Sequence, residues 1–161
     1  MNEKKFGVLF VCYGNICRSP LGEGIFSHLV EEAGLSEKFV IDSCGTSSMH
    51  QGEAPHRESC LVASKHGLNI IKQRARGLRD DDFLDFDLIL ALDEAVCADI
   101  LERRLGNKAT IKLLREYEPQ AKDLNVPDPY YGGRDGFEKV YQMIDLCCRE
   151  LLKSLSRRFS F

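Results

Sequence analysis

The chain opens on an apolar run, Phe6-Gly7-Val8-Leu9-Phe10-Val11, with no polar position inside it. A run this continuous fits a strand buried on both faces, not one with a wet side. After a Gly-containing turn, Ser19-Pro20-Leu21-Gly22-Glu23 reads as a helix start, with Pro in the first turn and Glu soon after. Ile25, Phe26, Leu29, Val30 and Ala33 then recur at helical spacing, and Gly34 ends the helix. Phe39-Val40-Ile41 is a short second strand ending at Asp42-Ser43-Cys44-Gly45.

Further along, Glu58 to His66 reads as a helix closed by Gly67, and the charged stretch Lys72, Arg74, Arg76, Arg79, Asp80-Asp81-Asp82 as a solvated turn. A third strand, Asp87 to Leu92, leads into a helix from about Glu94 to Leu105 with Asp93 as its cap. Thr110 to Leu114 is a fourth strand, and Pro119, Pro127 and Pro129 mark a polar loop. A closing helix from about Gly136 to Leu155 puts Val140, Met143, Ile144, Cys147, Leu151 and Leu155 on one stripe. The alternation predicts an α/β fold: a four-stranded parallel sheet flanked by helices on both faces, flavodoxin-like and doubly wound. One domain over residues 1–161 is expected, with the tail from about residue 156 frayed.

Composition narrows the class. At 161 residues, folding would remove roughly 18,000 Å² from water, enough for a core without covalent staples. Lys+Arg 22 against Asp+Glu 25 gives a net charge of −3, which argues against a nucleic-acid binder with a basic face. No uncharged run approaches the ~20 residues of a membrane span. Lys4-Lys5 before the first apolar run has the outline of a short secretory signal. It lacks a small-x-small cleavage site and runs into Asn15, Arg18 and Pro20, so no leader is expected. The cysteine count of 7 is odd, and the spacing fits no zinc ribbon. A reduced, cytoplasmic protein is the simpler reading.

Candidate chemistry gathers where the first strand gives way to the first helix, at Cys12-Tyr13-Gly14-Asn15-Ile16-Cys17-Arg18-Ser19. The loop can curl so that several N–H groups point inward as a nest for an oxyanion. The helix N-terminus adds a positive dipole end, and Arg18 offers a planar fork for two oxygens of one phosphoryl group. Each of these favours a thiolate at Cys12. Gly14 permits close backbone approach, and Asn15 tolerates a left-handed conformation. Bare Cys-x5-Arg spacing is common by chance; its place between strand and helix gives it meaning.

Val11 to Pro20 resembles the signature loop of the low-molecular-weight protein tyrosine phosphatases, and Asp128-Pro129-Tyr130-Tyr131-Gly132 resembles that family's second signature. Asp42-Ser43, His66-Gly67, Ala75-Arg76, Phe86-Asp87 and Leu92-Asp93-Glu94 also fall where members have similar residues. The resemblance implies a phosphomonoester hydrolase that cleaves phosphotyrosine through a cysteinyl-phosphate intermediate. It implies Cys12 as nucleophile, Arg18 as binder of the equatorial oxygens, and Asp128 as general acid and then base. Ser19 would donate to the Cys12 sulfur, while Asn15 and Ser43 would hold the loop in shape. Substrate contact is expected along Tyr13, Gly14, Asn15, Ile16, Cys17, Ser19, Ser43 and Met49, with Tyr130 and Tyr131 at the entrance. No metal or organic cofactor is implied. The implied partners are tyrosine-phosphorylated proteins, with no nucleic acid or membrane, and a monomer or weak self-association.

The need for Asp128 also follows from chemistry, because a phenol leaves poorly until protonated. Flanking Pro127 and Pro129 would stiffen its loop. Departures touch the walls: Met49 stands where members commonly carry an aromatic residue, Tyr13 where many are aliphatic, and Gln73 where a histidine is frequent. Between Gly52 and Cys60 the match needs a small deletion. Cys17 has two readings, a reversible disulfide partner for Cys12 or a small buried residue. Two rivals rank lower. An arsenate reductase would need a close pair of resolving cysteines between Cys60 and Cys97, and none is there. A phosphotyrosine-binding module without catalysis would lack Cys12, Arg18 or Asp128, and all are present.

Overall fold

A computed structural model describes residues 4–131 and 133–160, apart from the side chain of Tyr131. Strand β1 (Phe6–Cys12) is followed by helix α1 (Arg18–Glu32), β2 (Phe39–Gly45) and α2 (Arg57–Lys65). Then come the short α3 (Asp82–Asp85), β3 (Leu88–Ala91), α4 (Glu94–Arg103), β4 (Thr110–Leu113) and the long α5 (Gly133–Phe159). The sheet has four parallel strands in the order β2-β1-β3-β4. The doubly wound architecture expected from the alternation is the one found. Among the described residues no helix is long and apolar enough to cross a membrane.

The continuous apolar run of β1 is explained by its central place. Val8 and Phe10 face a core shared with α1, α2 and α5, which includes Leu21, Ile25, Phe26, Val62 and Ile144. Leu9 and Val11 face the opposite core with Phe83, Ile89, Val96 and Ile100. Successive side chains alternate between faces, and both faces are covered, so every position must be apolar. This sandwich leaves the carboxyl ends of β1 and β2 open at one edge, where Cys12 pairs in register with Gly45.

Three elements differ from the expectation. Strand β2 runs on through Asp42 and Ser43 to Gly45, because its hydrogen bonds to β1 continue to Cys12. The closing helix begins at Gly133 and extends to Phe159, whose ring centroid lies 5.2 Å from that of Phe6. The charged stretch read as a solvated turn instead contains a buried ion pair. Asp82 is 1% exposed, and both its oxygens accept from the Arg76 guanidinium at 3.0 Å, which also reaches Asp42 at 3.0 Å. A bidentate partner makes burial of that carboxylate tolerable, which composition alone does not disclose.

Gly22 shows how tightly α1 lies on the sheet. A Cβ there would sit 2.5 Å from Cδ1 of Phe10, a fully buried ring. Helix propensity favours Ala over Gly by about 1 kcal/mol, but overpacking a filled core costs about 1–3 kcal/mol. Packing should win. Gly22→Ala is expected to lower Tm by several degrees in a circular-dichroism melt, at about 2–4 °C per kcal/mol for this size. A Tm equal to or above that of the wild type would show that Phe10 has room to move.

Candidate active site

The loop between β1 and α1 is held from outside by its carbonyls. Thr46 N donates to Cys12 O at 3.0 Å, Ser47 N to Tyr13 O at 2.9 Å, and His56 N to Ile16 O at 2.7 Å. The Ser59 hydroxyl donates to Cys17 O at 3.0 Å. In a trans peptide the carbonyl and the next N–H point in opposite directions. The N–H groups of Tyr13, Gly14, Cys17 and Arg18 therefore turn toward the inside of the loop. That inward set of N–H groups, at the N-terminus of α1, is an anion site. Gly45 permits the close approach of β2, since a Cβ there would meet Tyr13 O at 2.7 Å and Asn15 N at 3.1 Å.

The side chains behind the loop are equally ordered. Asn15 has φ 58°, the left-handed value its residue type tolerates. Its Oδ1 accepts from Arg76 N at 3.0 Å, so its Nδ2 is the end that donates to Ser19 Oγ at 2.8 Å and Ser43 Oγ at 3.0 Å. Ser19 Oγ lies 2.9 Å from Cys12 Sγ. With one lone pair of Ser19 engaged by Asn15, its proton is free to point at the sulfur.

Arg18 is buried at 3% exposure, yet its guanidinium is fully placed. Nη1 donates to Asp93 Oδ2 at 2.6 Å and to Val126 O at 2.9 Å. Nη2 lies 3.8 Å from Asp128 Oδ2. Asp93 does two jobs, because its other oxygen accepts from Val96 N at 2.8 Å and caps α4 as expected. Asp128 is half exposed at 49%, and its Oδ1 accepts from Tyr130 N at 3.0 Å. This Asx turn leaves Oδ2 aimed toward the arginine.

These groups enclose a cavity of about 350 Å³. Cys12, Gly14, Cys17 and Arg18 are at its base, with Tyr13, Ile16, Met49 and His50 as walls and Asp128 and Tyr130 at the mouth. Tyr13 and Met49 are exposed at 55% and 66%, so the rim is apolar and open. Burial, together with the nearby Cys12, pushes the Cys17 thiol up to about 12, so it stays protonated at neutral pH. Among the described residues, no cluster of three or more His, Cys, Asp or Glu is placed to hold a metal ion.

Most of the residues proposed from sequence meet here. Asn15, Ser19 and Ser43 do not line the cavity; they lie buried and bonded to one another through Asn15, with only Ser19 against the Cys12 sulfur. The side chain of Tyr131 lies outside the described residues. Sequence reasoning missed His50, which rests against Gly14 and bonds Glu53 at 2.8 Å. It took Asp93 for a cap and for the proton donor next in line after Asp128, and missed its grip on Arg18; the Leu92-Asp93-Glu94 similarity was the available signal.

The sequence profile described as low molecular weight phosphotyrosine protein phosphatase matches residues 7–160. A relative of that name from Sus scrofa is 42% identical over 153 residues, 92% of this chain and 94% of its own length. A low molecular weight protein-tyrosine-phosphatase from Streptomyces coelicolor is 40% identical over 156 residues, 93% of each chain. Among solved structures, a protein tyrosine phosphatase from Entamoeba histolytica superposes with TM-score 0.90 at 32% identity, covering 95% of this chain and 98% of that one. A Drosophila arginine phosphatase superposes with TM-score 0.87 at 32% identity, covering 92% and 96%. The likeness runs over nearly the whole chain in both sequence and fold, and the chain belongs to the low molecular weight phosphotyrosine protein phosphatase family.

Proposed function

We propose that this chain hydrolyses phosphotyrosine and related aryl phosphate monoesters through a phosphocysteine at Cys12. One observation carries the reading: the Cys12 sulfur, the Arg18 fork and the inward N–H groups share one cavity floor, with Asp128 at the mouth. The thiolate attacks phosphorus in line, while Arg18 and the N–H groups take the three equatorial oxygens. Asp128 gives its proton to the phenolic oxygen as the P–O bond breaks. The same carboxylate then accepts a proton from water, which attacks the phosphocysteine and releases phosphate and the Cys12 thiolate.

The walls support an aromatic substrate. Tyr13, Ile16, Met49 and Tyr130 present apolar surface above the phosphate floor. Of the nearby carboxylates, Glu53 is engaged by His50 and Asp93 by Arg18, while Asp128 is reserved for the leaving oxygen. A guanidinium would find less here than a phenyl ring does, so phosphotyrosine is favoured over phosphoarginine. No residue from a second chain is needed to complete the cavity, which suits a monomer. The reaction requires a free thiol and all the cysteines are unbridged, which suits a reducing compartment such as the cytoplasm.

Cys12→Ser should reduce p-nitrophenyl phosphate turnover to background, because a hydroxyl stays protonated where a thiolate forms. Arg18→Lys should cost on the order of 10²-fold or more in kcat, since a point charge cannot replace the fork. Retention of substantial activity by either variant in steady-state assays would contradict its assigned role.

Asp128→Asn keeps shape but delivers no proton, and a general acid typically contributes ~10²–10⁴-fold. The loss should be larger for phenyl phosphate than for p-nitrophenyl phosphate, whose leaving group departs readily as an anion. Vanadate inhibition should change little. Equal losses on both substrates would remove Asp128 as the proton donor.

A further inference from the structure

We propose that Glu23 is a positioning residue for the phosphatase reaction, its carboxylate setting the direction of a hydrogen-bond chain through Ser43, Asn15 and Ser19 to the Cys12 sulfur. The inference rests on the phosphatase reading above and adds a residue that touches neither substrate nor nucleophile. Glu23 lies on α1 beneath the loop, and Ser43 Oγ donates to its Oε1 at 2.7 Å.

The chain has a defined polarity. Asn15 Oδ1 is committed to the Arg76 N–H, a group that can only donate, so the two Nδ2 hydrogens go to Ser43 and Ser19. Ser43 Oγ receives one of them and must send its own proton onward to Glu23. Ser19 Oγ receives the other and sends its proton to Cys12 Sγ at 2.9 Å, the alternative acceptor Cys44 O being 3.4 Å away. An ionised carboxylate only accepts and locks this order. A neutral carboxyl is a weaker acceptor and can also donate, so the Ser43 proton loses its fixed direction and Ser43 holds the Asn15 amide less firmly.

The surroundings of Glu23 make that difference accessible. His28 and Glu31 of α1 share its cavity, as do Lys72 and Gln73 from the segment before α3. Asp42 on β2 and Arg76 act on it through charge. The Arg76 guanidinium, however, is bonded to Asp42 and Asp82. Gln73 turns Nε2 to Pro20 O at 3.1 Å, and its buried Oε1 has no donor among the described residues. Among the described residues no cation is bonded to Glu23. Burial pushes its carboxyl up to about 7, against the pull of the Ser43 hydrogen bond, with Asp42 adding to the rise and Arg76 opposing it.

Glu23→Gln keeps an acceptor oxygen and stands for the neutral form at every pH. The readout is the ratio of wild-type to variant kcat/KM on p-nitrophenyl phosphate between about pH 5 and pH 8.5. The ratio should sit on a low plateau at acid pH and rise about 2- to 10-fold, the worth of one hydrogen bond. Its midpoint should fall near 7. Ser43→Ala cuts the chain one link on, and its ratio should rise over the same interval. A pH-independent ratio, at any value, overturns the proposal, because a merely structural role predicts one.

Folding is followed in parallel. The folded carboxyl is raised from 4.5 to about 7, so the wild type loses stability as pH climbs from about 4.5 through 7 and levels off above it. Glu23→Gln should therefore gain in Tm relative to the wild type over that range. Titration of the Glu23 carboxyl by carbon NMR in the wild type needs no variant, and a midpoint below about 5 overturns the proposal. Absence of any wild-type turnover of aryl phosphates would instead overturn the phosphatase reading.

Discussion

Four peptide N–H groups pointing at one spot are the feature on which this molecule depends. Backbone does not adopt that arrangement unaided, because every inward N–H implies an outward carbonyl that must be satisfied elsewhere. Thr46 and Ser47 at the end of β2, and His56 and Ser59 around the start of α2, supply those donors. The parallel pairing of β1 with β2 brings the first two into place, and the core under α2 brings the others. His56 also stacks on Phe137 of α5 at 5.0 Å, which ties the loop to the far end of the chain. The sheet and helices are thus a frame for a loop of backbone donors.

Charge is distributed by the same logic. Arg18 would be costly at 3% exposure without partners, and it has Asp93, Val126 and Asp128 around it. One carboxylate is short and fixed, at 2.6 Å, and orients the fork. The other is longer, at 3.8 Å, and half exposed, which leaves it free to exchange a proton. Two aspartates near one arginine are therefore not equivalent. A second arginine, Arg76, serves the rear of the loop: its N–H orients Asn15 while Asp82 and Asp42 anchor its guanidinium. In the proposed reaction the front of the loop meets substrate and the rear sets proton directions.

The Cys12–Ser19 loop, the strand before it and the helix after it were legible as a sequence because they are contiguous, and local rules suffice for strand–turn–helix. The parallel sheet followed from βα alternation, and Asp93 as a cap followed from its place before an apolar helix. Asp128 needed the second signature, since an aspartate between prolines has no local reason to face a cysteine so far away in the chain. The charged stretch ending at Asp82 was misjudged because hydropathy counts a carboxylate as surface. It cannot register a bidentate arginine that makes burial tolerable.

By itself the sequence determined the layered α/β architecture, the placement of a thiol and an arginine at the end of a buried strand, and the family. Periodicity and contiguous motifs carry that much. Tertiary structure alone decided which of two aspartates grips Arg18 and which stands at the mouth, and which end of Asn15 faces Ser19. It also decided that Glu23, read from the sequence only as part of a helix start, sits under Ser43. These are questions of direction over a few ångströms between residues distant in the chain. Hydrogen-bond donors and acceptors acquire direction only when the fold has fixed what lies opposite them.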